Sequence, residues 1–163
     1  MNKTERFWDK LSKSYDRRAG KYEKTTLRTI ENTKRHLRDC DIVLDCGCAT
    51  GSISLELTPY VKKVHGMDIS SKMIEAAKNK AKQRNTENID FTKSSIFDEQ
   101  FSRGTFDVIV AFNVLLYFNN VQEAIQRMNE LLKPGGLMIC ATACLGEKRT
   151  FLNVLSGIMI HLS

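Results

Sequence analysis

The 163-residue sequence predicts an α/β domain: a doubly wound parallel sheet with helices on both faces. Three observations carry the prediction. Short apolar runs alternate with helical-period segments from residue 41 onward. A glycine-containing turn follows the first apolar run, and an acid closes the second.

Two helices open the chain, near residues 4–18 and 21–38, joined at Ala19-Gly20; in the first, Phe7, Trp8, Leu11 and Tyr15 share one face. Residues 41–46 form a first strand, with Ile42, Val43 and Leu44 as its apolar run. Residues 52–58 form a helix closed by Pro59, and residues 63–68 a second strand. Ser70 or Ser71 caps a helix that turns Met73, Ala77 and Ala81 inward. Residues 88–93 and 105–111 read as the third and fourth strands. Asn120 with Glu123 is a capping box, opening a helix with Val121, Ile125, Met128 and Leu132 inward. Pro134-Gly135-Gly136 stops that helix ahead of a fifth strand, residues 137–142. Phe151, Val154, Leu155, Ile158 and Met159 then recur at helical spacing, predicting a closing amphipathic helix.

The net charge of +6 is unevenly spread. Residues 1–38 hold 12 Lys and Arg against 5 Asp and Glu, and the remainder is close to neutral. Such a segment suits either a solvated helix pair or an anionic partner. No apolar run approaches the roughly 18 residues of a membrane-spanning helix, and the charged N-terminus does not read as a secretory signal. Five cysteines, without the density of a secreted scaffold, lead to the expectation of reduced thiols in a cytoplasmic protein.

The first strand runs into Asp45-Cys-Gly-Cys-Ala-Thr-Gly51, and Asp68 lies 23 residues beyond Asp45. Small residues let backbone approach a ligand, and an acid about 20 residues further on is placed for the hydroxyls of an adenosine ribose. A dinucleotide turn wants two more glycines than Gly47-x-Ala49-x-x-Ser52 supplies, and no Gly-Lys-Ser/Thr marks a P-loop. Asp45 repels a pyrophosphate but suits a ligand carrying an ammonium and a sulfonium. Cys46, Cys48, Cys140 and Cys144 lack a standard zinc spacing, so no metal is expected. His36, His65 and His161 form no cluster in the sequence.

In order along the chain, these segments resemble the class I S-adenosylmethionine-dependent methyltransferases, particularly the small-molecule branch with the quinone-biosynthesis C-methyltransferases. The first motif of that family, D-x-G-x-G-x-G, matches Asp45-x-Gly47-x-Ala49-x-Gly51 with alanine at the middle glycine. Gly66-Met-Asp-Ile-Ser70, Phe106-Asp-Val-Ile-Val110, Phe112-Asn-Val-Leu-Leu-Tyr117 and Leu131-Leu-Lys-Pro-Gly-Gly136 carry the rest, over residues 40–145.

The resemblance implies a Rossmann-like sheet in the order 3-2-1-4-5, with residues 1–38 as a helical lid and residues 39–163 as the cofactor-binding core. It implies S-adenosylmethionine, with S-adenosylhomocysteine as product, held by Tyr15, Asp45, Gly47, Cys48, Ala49, Gly51, Asp68, Ile69, Met73, Ser95, Ile96 and Asn113. Ser95 falls where the family has an acid near the adenine amino group, with Asp98 a nearby substitute. Tyr15, Tyr22, Asn113 and Tyr117 are expected nearest the transfer site, with no general base assigned. The acceptor is read as a small molecule. RNA methylation, motivated by the basic N-terminus, and a non-catalytic cofactor- or partner-binding relic, motivated by Ala49 and Ser95, are the alternatives. The family's usual C-terminal hairpin is missing from this reading. Truncation at the C-terminus, a bare fifth-strand edge and a dimer covering that edge are therefore expected.

Overall fold

The computed structural model describes residues 3–20, 23–142 and 157–161. Helices α1 (Lys3–Ala19) and α2 (Glu23–Lys34) precede the alternating part: β1 (Ile42–Cys46), α3 (Ser52–Leu57), β2 (Lys63–Asp68), α4 (Ser71–Gln83), β3 (Ile89–Lys93), β4 (Phe106–Phe112), α5 (Val121–Leu131) and β5 (Leu132–Ala141). A last strand, β6 (Gly157–His161), completes one sheet in the order β3-β2-β1-β4-β5-β6. The first five strands are parallel, in the predicted order 3-2-1-4-5.

The apolar runs become strands because each face has its own helices to cover it. Val43, Val64 and Val108 pack with Leu55, Ile74 and Ala77 of α3 and α4. Leu44, Ile109 and Met138 pack on the other face with Met128 and Leu131 of α5. Burial on both faces explains why β1 and β4 read as continuous apolar runs rather than alternating ones. Two predicted caps are in place: Ser70 Oγ accepts from Met73 N–H, and Asn120 Oδ1 from Glu123 N–H, each at 3.1 Å.

Val121, read as facing inward, is exposed at the start of α5, and two features of the sheet differ from the sequence reading. Strand β5 begins at Leu132, which pairs with Phe106, and the register then jumps so that Leu137 faces Val108. Leu132 therefore belongs to the strand, and Pro134-Gly135-Gly136 is an extrusion within the ladder, with Gly135 at a left-handed φ of 74°.

The second difference is larger. Ile158 and Met159, assigned to a helix by their spacing, lie in β6, which runs antiparallel to β5 from Ala141↔Gly157 to Leu137↔His161. An open edge of N–H and C=O groups rewards an extended partner, and a short apolar run does not by periodicity alone distinguish helix from strand. The edge of β5 is thus covered by this chain, which overturns the bare edge and the dimer built on it. Phe151, Val154 and Leu155 lie outside the described residues.

Candidate cofactor pocket

The turn after β1 is held in place before any ligand is considered. Gly47 N–H and Cys48 N–H both donate to Met67 O, each at 2.9 Å, tying the turn to the end of β2. Gly47, Ala49 and Gly51 alternate as left-handed residues, with φ of 76°, 49° and 73°. At Gly47 a Cβ would lie 2.5 Å from Val114 Cγ2, and at Gly51 2.5 Å from the Phe91 ring, so neither admits a side chain. Ala49 does carry one, and its left-handed backbone is strained for an L-residue.

Asp68 ends β2 at the rim of this turn. Its Oδ2 accepts from Ala49 N–H at 3.0 Å and its Oδ1 from Ser70 N–H at 2.8 Å. Burial raises the carboxyl above its ordinary value against the lowering effect of those backbone donors. Both oxygens are oriented by backbone and each keeps a lone pair free to accept a further hydrogen bond. Asp45 sits beneath the turn, fully buried, with Ser54 Oγ donating to its Oδ2 at 2.5 Å. Burial pushes it up to about 6, with the hydrogen bond from Ser54 lowering it and the Asp68 charge adding to the rise.

The pocket over this turn spans about 700 Å³, part of it open to solvent. Of the sequence-predicted residues, Tyr15, Gly47, Ala49, Asp68, Ile69, Met73, Ser95, Ile96 and Asn113 line it. Three do not: Asp45 lies below, Gly51 packs on Phe91 and Ala77, and Cys48 turns into the core beside α3 and α4. Cys48 follows Gly47 in the turn, but its side chain points to the opposite side. Ser95 Oγ accepts from Phe97 N–H at 3.3 Å, while Asp98 accepts from Ser95 N–H at 2.8 Å. Asp98 thus fixes the backbone of Ser95. Tyr22 lies outside the described residues.

The lining also includes Thr4, Trp8, Cys46, Met67, Phe112, Val114 and Phe118, which the motif alignment left out of the pocket, and Tyr117, which was expected near the transfer site. The first two come from α1, which forms the roof. Trp8 meets Tyr117 edge-on at 4.9 Å and Tyr15 at 6.5 Å. Burial, with Asp68 and Tyr117 adding to it, pushes Tyr15 up to about 12, and burial raises the Cys46 thiol as well. Both keep their protons at neutral pH, so neither is an anionic base.

Three acids seat α1 on the core. Asp9 accepts from Ser70 Oγ at 2.6 Å and from Lys72 N–H at 3.1 Å, at the start of α4. Asp16 accepts from Thr50 Oγ1 at 2.6 Å and pairs with Lys80 at 2.8 Å. Glu5 pairs with Lys93 of β3 at 2.5 Å. The hydrogen bond from Ser70 lowers Asp9; burial acts to raise Asp16, but Lys80 and Thr50 together hold it below its ordinary value. These acids were invisible in the net charge of a basic segment. Their spacing was the available signal: Glu5, Asp9 and Asp16 each follow a roof residue, Thr4, Trp8 and Tyr15. Among the described residues no group of three His, Cys, Asp or Glu side chains could hold a metal ion, and no helix is long and apolar enough to cross a membrane.

Residues 37–156 match a family model described as a methyltransferase domain. An uncharacterized protein of Methanocaldococcus jannaschii is 31% identical over 93% of this chain and 56% of its own length. A demethylmenaquinone methyltransferase of Lactococcus lactis is 33% identical over 60% of this chain and 40% of its own. The crystal structure of a putative S-adenosyl-L-methionine-dependent methyltransferase from Methanococcus maripaludis superposes with a TM-score of 0.70 at 20% identity, covering 83% of this chain and 64% of that one. The chain spans about half the length of the curated relatives it matches.

Proposed function

We propose, on the premise that this chain belongs to the class I S-adenosylmethionine-dependent methyltransferases, that its pocket binds S-adenosylmethionine for methyl transfer to a small apolar acceptor. The observation that carries the reading is the oriented, half-buried Asp68 carboxylate beside a left-handed glycine turn, at the end of a parallel strand. That pair of acceptor oxygens suits the two donating hydroxyls of a ribose diol. Ile69, Met73 and Ile96 offer apolar walls for an adenine ring, and Ser95 a hydroxyl at its edge. Asp45 lies below the turn, where a cationic ligand would favour its ionised form.

When bound, the sulfonium supplies an activated methyl group, so the protein has to align the partners and exclude water. Trp8, Tyr15 and Tyr117 do the excluding, as an aromatic roof over the turn. Neutral Tyr15 and Asn113 both line the pocket and serve to orient the acceptor. Aromatic walls favour an apolar acceptor, in keeping with relatives named as demethylmenaquinone and ubiquinone-biosynthesis methyltransferases.

Calorimetry with S-adenosylhomocysteine tests the reading before any acceptor is known. Asp68→Ala should weaken binding by about 1.5–3 kcal/mol, the range for hydrogen bonds to a charged group. Wild-type affinity in that variant would remove the ribose assignment.

A further inference from the structure

Helix α1 separates its charges by face. All three of its acids, Glu5, Asp9 and Asp16, are engaged with the core. Its six bases, Lys3, Arg6, Lys10, Lys13, Arg17 and Arg18, are all exposed, and no described residue pairs with any of them. Five of the six stand alternately three and four residues apart, which confines them to about 80° of arc and a stripe about 21 Å long. A cationic stripe with its neutralising acids drawn to the other side is not a self-compensated surface helix, because the i,i+4 partners that would solvate it quietly are spent elsewhere.

An apolar patch adjoins the stripe. Phe7 is 55% exposed and packs on Trp8 at 5.1 Å; Trp8 packs on Tyr117, which is 51% exposed, as is Leu116. Trp8 and Tyr117 also line the pocket, so the patch borders it. Exposed apolar side chains flanked by cations are the pattern of a face that rests on anionic headgroups and dips side chains among the acyl chains. A single-stranded nucleic acid calls for a charged groove that tracks its backbone. The outer ridge of one helix is convex and provides none, which favours a planar anionic surface.

We propose that the outer face of α1, with Phe7, Leu116 and Tyr117, docks this protein on an anionic phospholipid bilayer. The pocket mouth then lies at the headgroup level. The docking stands apart from the methyl-transfer reading; entry of an apolar acceptor from the lipid rests on it.

Sedimentation of the full chain with vesicles tests the docking. Binding is expected to mixed phosphatidylglycerol and phosphatidylcholine but not to phosphatidylcholine alone, and to weaken steeply toward roughly 0.5 M salt. Each surface cation near an anionic membrane contributes about five-fold, so Lys3→Gln/Lys10→Gln/Lys13→Gln should lose about 100-fold in partitioning. Phe7→Ser should lose several-fold on the same vesicles. Because the three lysines are exposed and form no ion pair with a described residue, the triple variant should keep its thermal unfolding and its affinity for S-adenosylhomocysteine. That last measurement separates failure of docking from failure of the cofactor assignment. Equal binding to neutral vesicles, no binding to anionic ones, or wild-type partitioning by the triple variant would overturn the proposal. So would tighter binding to single-stranded RNA than to anionic vesicles at equal salt.

Discussion

Ala49 and Asp45 are the two residues of the turn whose conformation or charge runs against their intrinsic preference. Ala49 holds a φ of 49°, which an L-residue adopts at a cost of about 1–2 kcal/mol. Ala49→Gly removes that cost and gives back about 0.5–1 kcal/mol in unfolded-chain entropy. A small gain, up to about 1 kcal/mol in denaturant unfolding, is expected; a loss of that size would mean that the Ala49 methyl makes packing contacts that outweigh the strain. Asp45 makes a pH signature. Its folded value of about 6 lies above the ordinary 3.8, so between those values the folded state holds a proton that the unfolded chain has released. Its stabilisation is therefore complete below about pH 4 and lost as pH rises through 6. Over that window the stability of Asp45→Asn should improve on wild type by about 3 kcal/mol, read from unfolding curves at both ends. Parallel curves would show that Asp45 is not buried as described. Much at this scale was legible: the glycine turn, Asp68 and the Ser70 cap are local signals, each read from a few neighbouring residues. That Cys48 and Gly51 face the core and not the pocket was not legible, because alternation within a tight turn depends on which core waits on each side.

Among the elements, α1 behaves as a roof latched at its middle by Asp9 and near its C-terminal end by Asp16. Asp9 and Asp16 sit on hydroxyls at the start of α4 and around the start of α3, so the turn that shapes the pocket also holds its cover. With the Asp16 and Lys80 side chains 52% and 25% exposed, the pair is partly wet and worth about 1 kcal/mol at most. Asp16→Asn should thus raise amide exchange across α1 about five-fold in the absence of ligand. S-adenosylhomocysteine should slow it in both proteins as the roof closes on an occupied pocket. Exchange that ignores both the substitution and the ligand would mean that α1 is a fixed part of the core. The aromatic face of this helix was readable from spacing, whereas the latch was not. Its partners lie more than 30 residues away and only the fold brings them together.

For the whole molecule, the parallel part of the sheet followed from alternation of apolar runs and helices, since both faces needed cover. The last strand did not, because pairing of β6 depends on an open edge that no local pattern announces. That strand carries a consequence in time. A ribosome delivers residues 137–141 before residues 157–161, and at 5–20 residues per second the interval is about 1–4 s. Through that interval Leu137, Met138, Ile139 and Cys140 sit on a strand whose outer hydrogen bonds have no partner, close to other nascent chains of the same sequence. Synthesis that pauses between those two points prolongs the exposure. The yield of folded protein is thereby tied to how fast this short stretch is translated, and a chaperone that shields extended apolar segments is of most use in that window.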